Sequence, residues 1–222
     1  MAFTKIHPTR YLIDTRYNYI KKLINEYPRL KESMLHDSDK ECKDFAQENA
    51  GEDKEVAQSI YEQEVRRNED VSDLNNIFYQ SMLMITYSYY EGIIRHMMKD
   101  INAKHLIEAI CKQQRTSLSI ESEKAVAFID EEVKAIRNNI CHNNAGTCNK
   151  QRLMSKLSSI YTEIDFTEDT IGIYDSKFIL NALELEHQIL IELADILKYN
   201  NKVEGTPWKP LTQEWPSIED PK

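Results

Sequence analysis

The 222-residue sequence contains five glycines, six prolines and four cysteines, and each scarcity removes possibilities. The prolines stand at 8, 28, 207, 210, 216 and 221, which leaves the long middle without the punctuation that many short strands need and favours long helices. The cysteines at 42, 111, 141 and 148 form no paired framework, so a disulfide scaffold is not expected. No apolar run approaches the roughly 18 residues that cross a bilayer. The start, Met1-Ala2-Phe3-Thr4-Lys5, lacks the apolar stretch of a signal peptide, and the expected compartment is the cytoplasm. No glycine-rich phosphate loop occurs anywhere, which argues against nucleotide-dependent chemistry of that kind. Positive charge is in deficit too. A net charge of −9 excludes a broad nucleic-acid-coating surface, though not a small basic groove.

The remainder is ordinary globular material, 41% hydrophobic and 29% charged, enough for one good-sized core or a core plus an appendage. Pro8-Thr9 opens a helix with apolar positions Ile13, Tyr17, Ile20 and Ile24, and Pro28 is expected to stop it. A second short helical piece, with Leu30, Met34 and Leu35, follows. Residues 36–53 are charged, with Phe45 the one large hydrophobe, and read as a solvated insert or linker; an exposed helix with a narrow Val56, Ile60, Val65 stripe comes next. The chain thus divides into N-terminal helices (1–35), a charged insert with an exposed helix (36–70), a helical core (71–200) and an extended tail (201–222) carrying Trp208 and Trp215.

Within the core segment, Glu91 is the only formal charge between Phe78 and Ile94, so this helix is central or shared with a partner chain. Its run Tyr87, Tyr89, Tyr90 has three readings, stacking on bases, core packing or an interface between chains, and the interface is expected. Val126, Ile129, Val133, Ile136 and Ile140 are spaced three, four, three, four and draw one seam down a helix, with Ser119 or Ser122 as its cap. Ile171-Gly172-Ile173 is a tiny strand or a loop, and Asp175 caps a final helix apolar at Ile179, Leu183, Leu190, Leu193 and Leu197.

The seam helix ends in Arg137-Asn138-Asn139-Ile140-Cys141-His142. Ile136 and Ile140 mark its buried side, so Arg137, Asn138, Cys141 and His142 fall on the flank and far side, with Asn138 and His142 one turn apart. A cation and an imidazole thus project from a helix end among uncharged polar groups. This pattern resembles the HEPN family, in which an arginine, a polar residue directly after it and a histidine four to six residues on stand at a helix end in a small up-down helical bundle. Here these are Arg137, Asn138 and His142, and the resemblance covers roughly residues 71–197.

That resemblance implies an all-α fold of HEPN type and RNA cleavage without a metal or any cofactor. It implies a homodimer whose two motifs share one composite site, and a role in phage defence or as a toxin held by an antitoxin or other regulatory protein. The chemistry is sound: a histidine can take a proton from a ribose 2′-hydroxyl near neutral pH, and an arginine can hold the phosphate as charge develops. Asn138 would orient the imidazole or donate to the phosphate. The alternative is a HEPN module that binds RNA or a protein without cutting.

Glu91, alone in an apolar helix, is a candidate partner for Arg137 or His142, a polar contact between chains, or a glutamate that simply reaches solvent. Lys150, Arg152 and Lys156 follow the motif and are candidates to guide an RNA backbone, or else an ordinary charged face. Cys141-His142 with Cys148 lacks the second Cys/His pair a zinc site needs, so no metal is expected.

Overall fold

A computed structural model of the chain describes residues 8–68, 72–97, 103–142, 147–166 and 171–199. The Trp-containing tail and residues 143–146 lie outside them. The chain runs α1 (Pro8–Ala50), α2 (Lys54–Asn68), α3 (Ser72–Met97), α4 (Ala103–Gln114), α5 (Ile120–Phe128), a π-helical stretch (Ile129–Val133), α6 (Lys134–His142), α7 (Thr147–Leu157), β1 (Ile164–Asp165), β2 (Gly172–Ile173) and α8 (Lys177–Tyr199). The architecture is all-α apart from this two-residue antiparallel pair, in which Ile164 faces Ile173. No helix among the described residues is long and apolar enough to cross a membrane.

Two expectations for the N-terminal region are corrected. Pro28 does not stop the first helix: α1 continues through it for 43 residues. An interior proline removes one hydrogen bond and costs about 3 kcal/mol. Burial in the turn before it offsets that cost. Ile24 and Tyr27 are buried, and Tyr27 stacks flat on Phe78 at 3.6 Å and donates to Asn75 Oδ1 at 3.2 Å. Nor are residues 36–50 a linker. They form the distal half of α1, which turns at Gly51 (φ +62°) and returns as α2, capped by Asp53 accepting from the Glu55 and Val56 amides. The seam of this hairpin is made of small residues, with Cys42 and Ala46 buried and Tyr61 donating to Asp39.

The core is built around α3, which packs against α1, α4, α6 and α8. Tyr87, Tyr89 and Tyr90 are buried within the single chain, so the expectation that they form an interface between chains is also corrected. The Tyr89 hydroxyl donates to the Ile13 carbonyl, which ties α3 to α1. The seam Val126, Ile129, Val133 and Ile136 is buried as its spacing requires. Its helix holds register through the π-helical stretch, where the Lys134 amide donates to the Ile129 carbonyl five residues back. Ser119 caps α5 by accepting from the Ser122 amide and is itself held by Glu192. Asp175 and Glu163 accept from the first amides of α8. A Cβ at Gly172 would stand 2.7 Å from the Tyr174 ring, so a larger residue there displaces that ring.

Glu186 of α8 is fully buried, and neither of its carboxylate oxygens has a hydrogen-bond partner. Burial holds its carboxyl well above the usual carboxylate range, so it is protonated in the fold. In the unfolded chain it ionises near pH 4.3. The stability that depends on its neutral form is complete below that pH and declines as pH rises toward the folded value. Glu186→Met is expected to raise stability at pH 7 by about 1–3 kcal/mol. It should also flatten the dependence of the melting temperature on pH between about 5 and 7. Thermal denaturation of both proteins across that range checks both effects.

Candidate functional site

The motif helix and α3 meet along a short polar seam. The Arg137 guanidinium lies over the Tyr87 ring, 5.4 Å from its centroid, a cation–π contact that holds the side chain against the core. Its Nη1 donates to Asn138 Oδ1 at 2.8 Å, while its buried Nε meets no acceptor. Cys141 Sγ lies 3.4 Å from Met84 Sδ one turn farther on. Burial raises the Tyr87 hydroxyl pKa, and the charges of Glu91 and Asp130 raise it further against the opposing pull of Arg137. Tyr87 is thus a neutral platform beneath a cation.

His142 is the last residue of α6, and its side chain lies outside the described residues. Helix geometry sets its backbone about 7.5 Å along and about 140° around the axis from Arg137. The structure therefore joins Arg137 to Asn138 directly and His142 to them through the helix. Asn138 was expected to serve the imidazole or a phosphate. In the structure its carbonyl oxygen accepts from the Arg137 guanidinium.

Glu91 forms an ion pair with Arg95 on its own helix at 3.3 Å, and this supplies the partner that a carboxylate on α3 needs. It acts on the site through the Tyr87 hydroxyl rather than by an ion pair with Arg137. The three cations after the motif divide. Lys156 Nζ pairs with Glu132 Oε1 at 2.7 Å and Glu131 Oε2 at 3.5 Å, and Arg152 donates to the Glu131 carbonyl and pairs with its carboxylate. Both pin α7 to the π-helical stretch, so their charge is largely matched. Lys150 stands half-buried at the start of α7.

Two residues outside the expected set also build the site. Tyr87, expected at an interface between chains, is the platform beneath the Arg137 guanidinium. Asn139 is buried beside Asn138, and its Oδ1 accepts from the Ile171 amide at 3.1 Å. Gln80 donates to the Ile171 carbonyl and Asn76 accepts from the Ile173 amide, so three side-chain amides satisfy the edge of β2. The motif helix is thereby anchored to α3 through β2 as well as through Tyr87.

A second polar cluster lies between the start of α1 and the end of α8. His187 Nε2 is 2.9 Å from Asp14 Oδ1, Tyr17 stacks on the imidazole at 4.0 Å, and Arg10 pairs with Asp195. Arg10, Asp14, His187 and Asp195 border a cleft of about 670 Å³ that also reaches Thr116 and Glu192. Each charged group there already has a partner, so the cluster reads as a seam joining α1 to α8. Among the described residues, no three His, Cys, Asp or Glu side chains gather as metal ligands would.

Comparison with known proteins places the chain in no established group: no family model matches it, and no curated protein or solved structure matches it.

The two adjacent asparagines have separable roles. Asn139→Ala strands the buried Ile171 amide and is expected to cost about 1–3 kcal/mol. Asn138→Ala removes one partly exposed bond and is expected to cost about 1 kcal/mol or less. Urea denaturation of the two variants checks the difference.

Proposed function

We propose that the chain is a metal-independent endoribonuclease of HEPN type, acting as a homodimer with a composite site, in phage defence or a toxin–antitoxin pair. The observation that carries this reading is the placement of Arg137. A tyrosine ring and an asparagine carbonyl hold its guanidinium at the end of α6, on the helix that terminates in His142. A pre-positioned guanidinium loses little freedom on meeting a phosphate, and that is the condition for stabilising charge as it develops.

In this reading the His142 imidazole accepts the ribose 2′-hydroxyl proton. The 2′ oxygen forms a bond to the adjacent phosphorus as the bond to the 5′ oxygen breaks. The products are a 2′,3′-cyclic phosphate and a 5′-hydroxyl, the latter protonated by the imidazolium of the second copy. Arg137 and the Asn138 amide hold the phosphate oxygens, and Lys150 is the cation of α7 best able to meet the flanking backbone. The open side of α3, with Ser81, Ile85, Ser88 and Gly92 all exposed, adjoins Met84 and Cys141 and is the surface through which two copies would bring their motifs together.

A second reading, a HEPN module that binds RNA or a protein without cutting, is favoured by one feature of the same arginine. Its Nη1 is already engaged by Asn138, as expected of a residue that fastens α6 to α3.

The two readings diverge on cellular RNA in EDTA. Arg137→Ala and His142→Ala are each expected to lower cleavage by at least about 100-fold. Ser88→Arg is expected to lower cleavage together with the dimer measured by sedimentation. Equal background cleavage by wild type and all variants would transfer the assignment to the binding module.

A further inference from the structure

Among the described residues, α1 presents along one flank a long surface that the fold leaves uncovered. Its inner face is used twice, by Ile13, Tyr17, Ile20, Ile24 and Tyr27 in the core and by Cys42 and Ala46 against α2. On a flank about 90° around the helix from that face, Tyr19 (67% exposed), Leu23 (51%), Leu30 (55%) and Met34 (58%) stand at intervals of four, seven and four. At 100° per residue these four fall within a sector of about 60°, so they form a single strip rather than scattered apolar residues. Scattered exposed apolar residues need no explanation, whereas a contiguous exposed row does.

The same sector continues past Met34 in a different chemistry. Asp37, Glu41, Asp44 and Glu48, spaced four, three and four, occupy an overlapping sector of about 60° and are all exposed. Among the described residues no cation pairs with Glu41, Asp44 or Glu48, and Asp37 has only His36 at 3.6 Å. From Tyr19 to Glu48 the strip runs about 44 Å, apolar over its first half and acidic over its second. The α1–α2 hairpin concentrates the acidity, with ten acidic residues against five basic ones between 36 and 68.

We infer that this strip docks an amphipathic helix of a partner protein, apolar over one half and rich in lysine or arginine over the other. Charge complementarity selects this occupant. RNA and an anionic membrane surface are both repelled by the distal acidic row. A second copy that laid the same strip on this one about a two-fold axis would bring acidic hairpin against acidic hairpin, ten acidic residues to five basic on each. A basic amphipathic helix satisfies both halves at once, with apolar anchors laid along Tyr19, Leu23, Leu30 and Met34 and cations along the acidic row. This surface is separate from Arg137 and stands independently of the nuclease reading.

The test is a fluorescence titration of the full chain against a labelled synthetic helix of about 28 residues, the length that spans the strip. One sector of the peptide carries leucines in the first half and lysines in the second, and a scrambled peptide of equal composition is the control. Saturable binding is expected, weakening with added salt. It should fall at least about tenfold in Leu30→Gln/Met34→Gln and at least about tenfold in Asp37→Gln/Glu41→Gln. All four positions are exposed, and melting curves that match wild type show that the variants remain folded. Equal binding of the scrambled peptide, or unchanged affinity in either variant pair, overturns the inference. So does displacement of the peptide by RNA, or a dimer that Leu30→Gln/Met34→Gln dissociates, since each names a different occupant. Cleavage of RNA by wild type, or its absence, bears only on the nuclease reading.

Discussion

Between Phe78 and Ile94, α3 carries one formal charge, Glu91, and so apolar a helix persists only where other elements cover most of its sides. That demand organises the protein. α1, α4, α6 and α8 each pack on α3, and β2 lies against it with its backbone satisfied by Asn76 and Gln80. The motif helix is one of these covers. Arg137 is therefore set by the packing of α3, because the ring beneath its guanidinium is Tyr87, a residue buried in the same core. The chemistry at the end of α6 inherits its rigidity from a hydrophobic requirement elsewhere.

The polar groups inside this packing differ in how they are satisfied. Asn139, Asn76 and Gln80 close the hydrogen bonds of a two-residue strand that could not stand alone. Glu132, nearly buried in the π-helical stretch, is matched by Lys156. Glu186 has no such partner and is kept neutral by burial alone. Matched groups fix the relation of one element to another, whereas Glu186 makes the stability of the whole depend on pH.

The central helices were legible because their signals were large. The three-four spacing from Val126 to Ile140 is a strong periodic pattern, and buried Val126, Ile129, Val133 and Ile136 follow it. Ser119 and Asp175 cap α5 and α8 as their residue types suggest. The alternation Ile171-Gly172-Ile173 supplies β2. The failures have physical causes. Pro28 reads as a stop because local preference is visible in sequence, while the Tyr27–Phe78 stack that outweighs it joins residues 51 apart. The distal half of α1 reads as a linker because Cys42 and Ala46, the residues that seat α2, are too small to mark an apolar stripe. At the site, the sequence carried Arg137, Asn138 and their place at a helix end. It did not carry the Tyr87 platform or the amide network through Asn139, since both depend on which side of α3 faces α6. It also suggested a basic strip on α7, where the structure pairs Arg152 and Lys156 with Glu131 and Glu132.

The proposed activity is cleavage of RNA through its own 2′-hydroxyl by Arg137 and His142 at one helix end. The most direct measurement uses a ribo-oligonucleotide with a single 2′-deoxy residue at a mapped cleavage position, incubated with the full chain in EDTA and read by mass spectrometry. The account predicts 2′,3′-cyclic phosphate ends at unmodified positions and no cut on the 3′ side of the deoxy residue. Cleavage at the deoxy residue, or products ending in a 3′-hydroxyl, would contradict it.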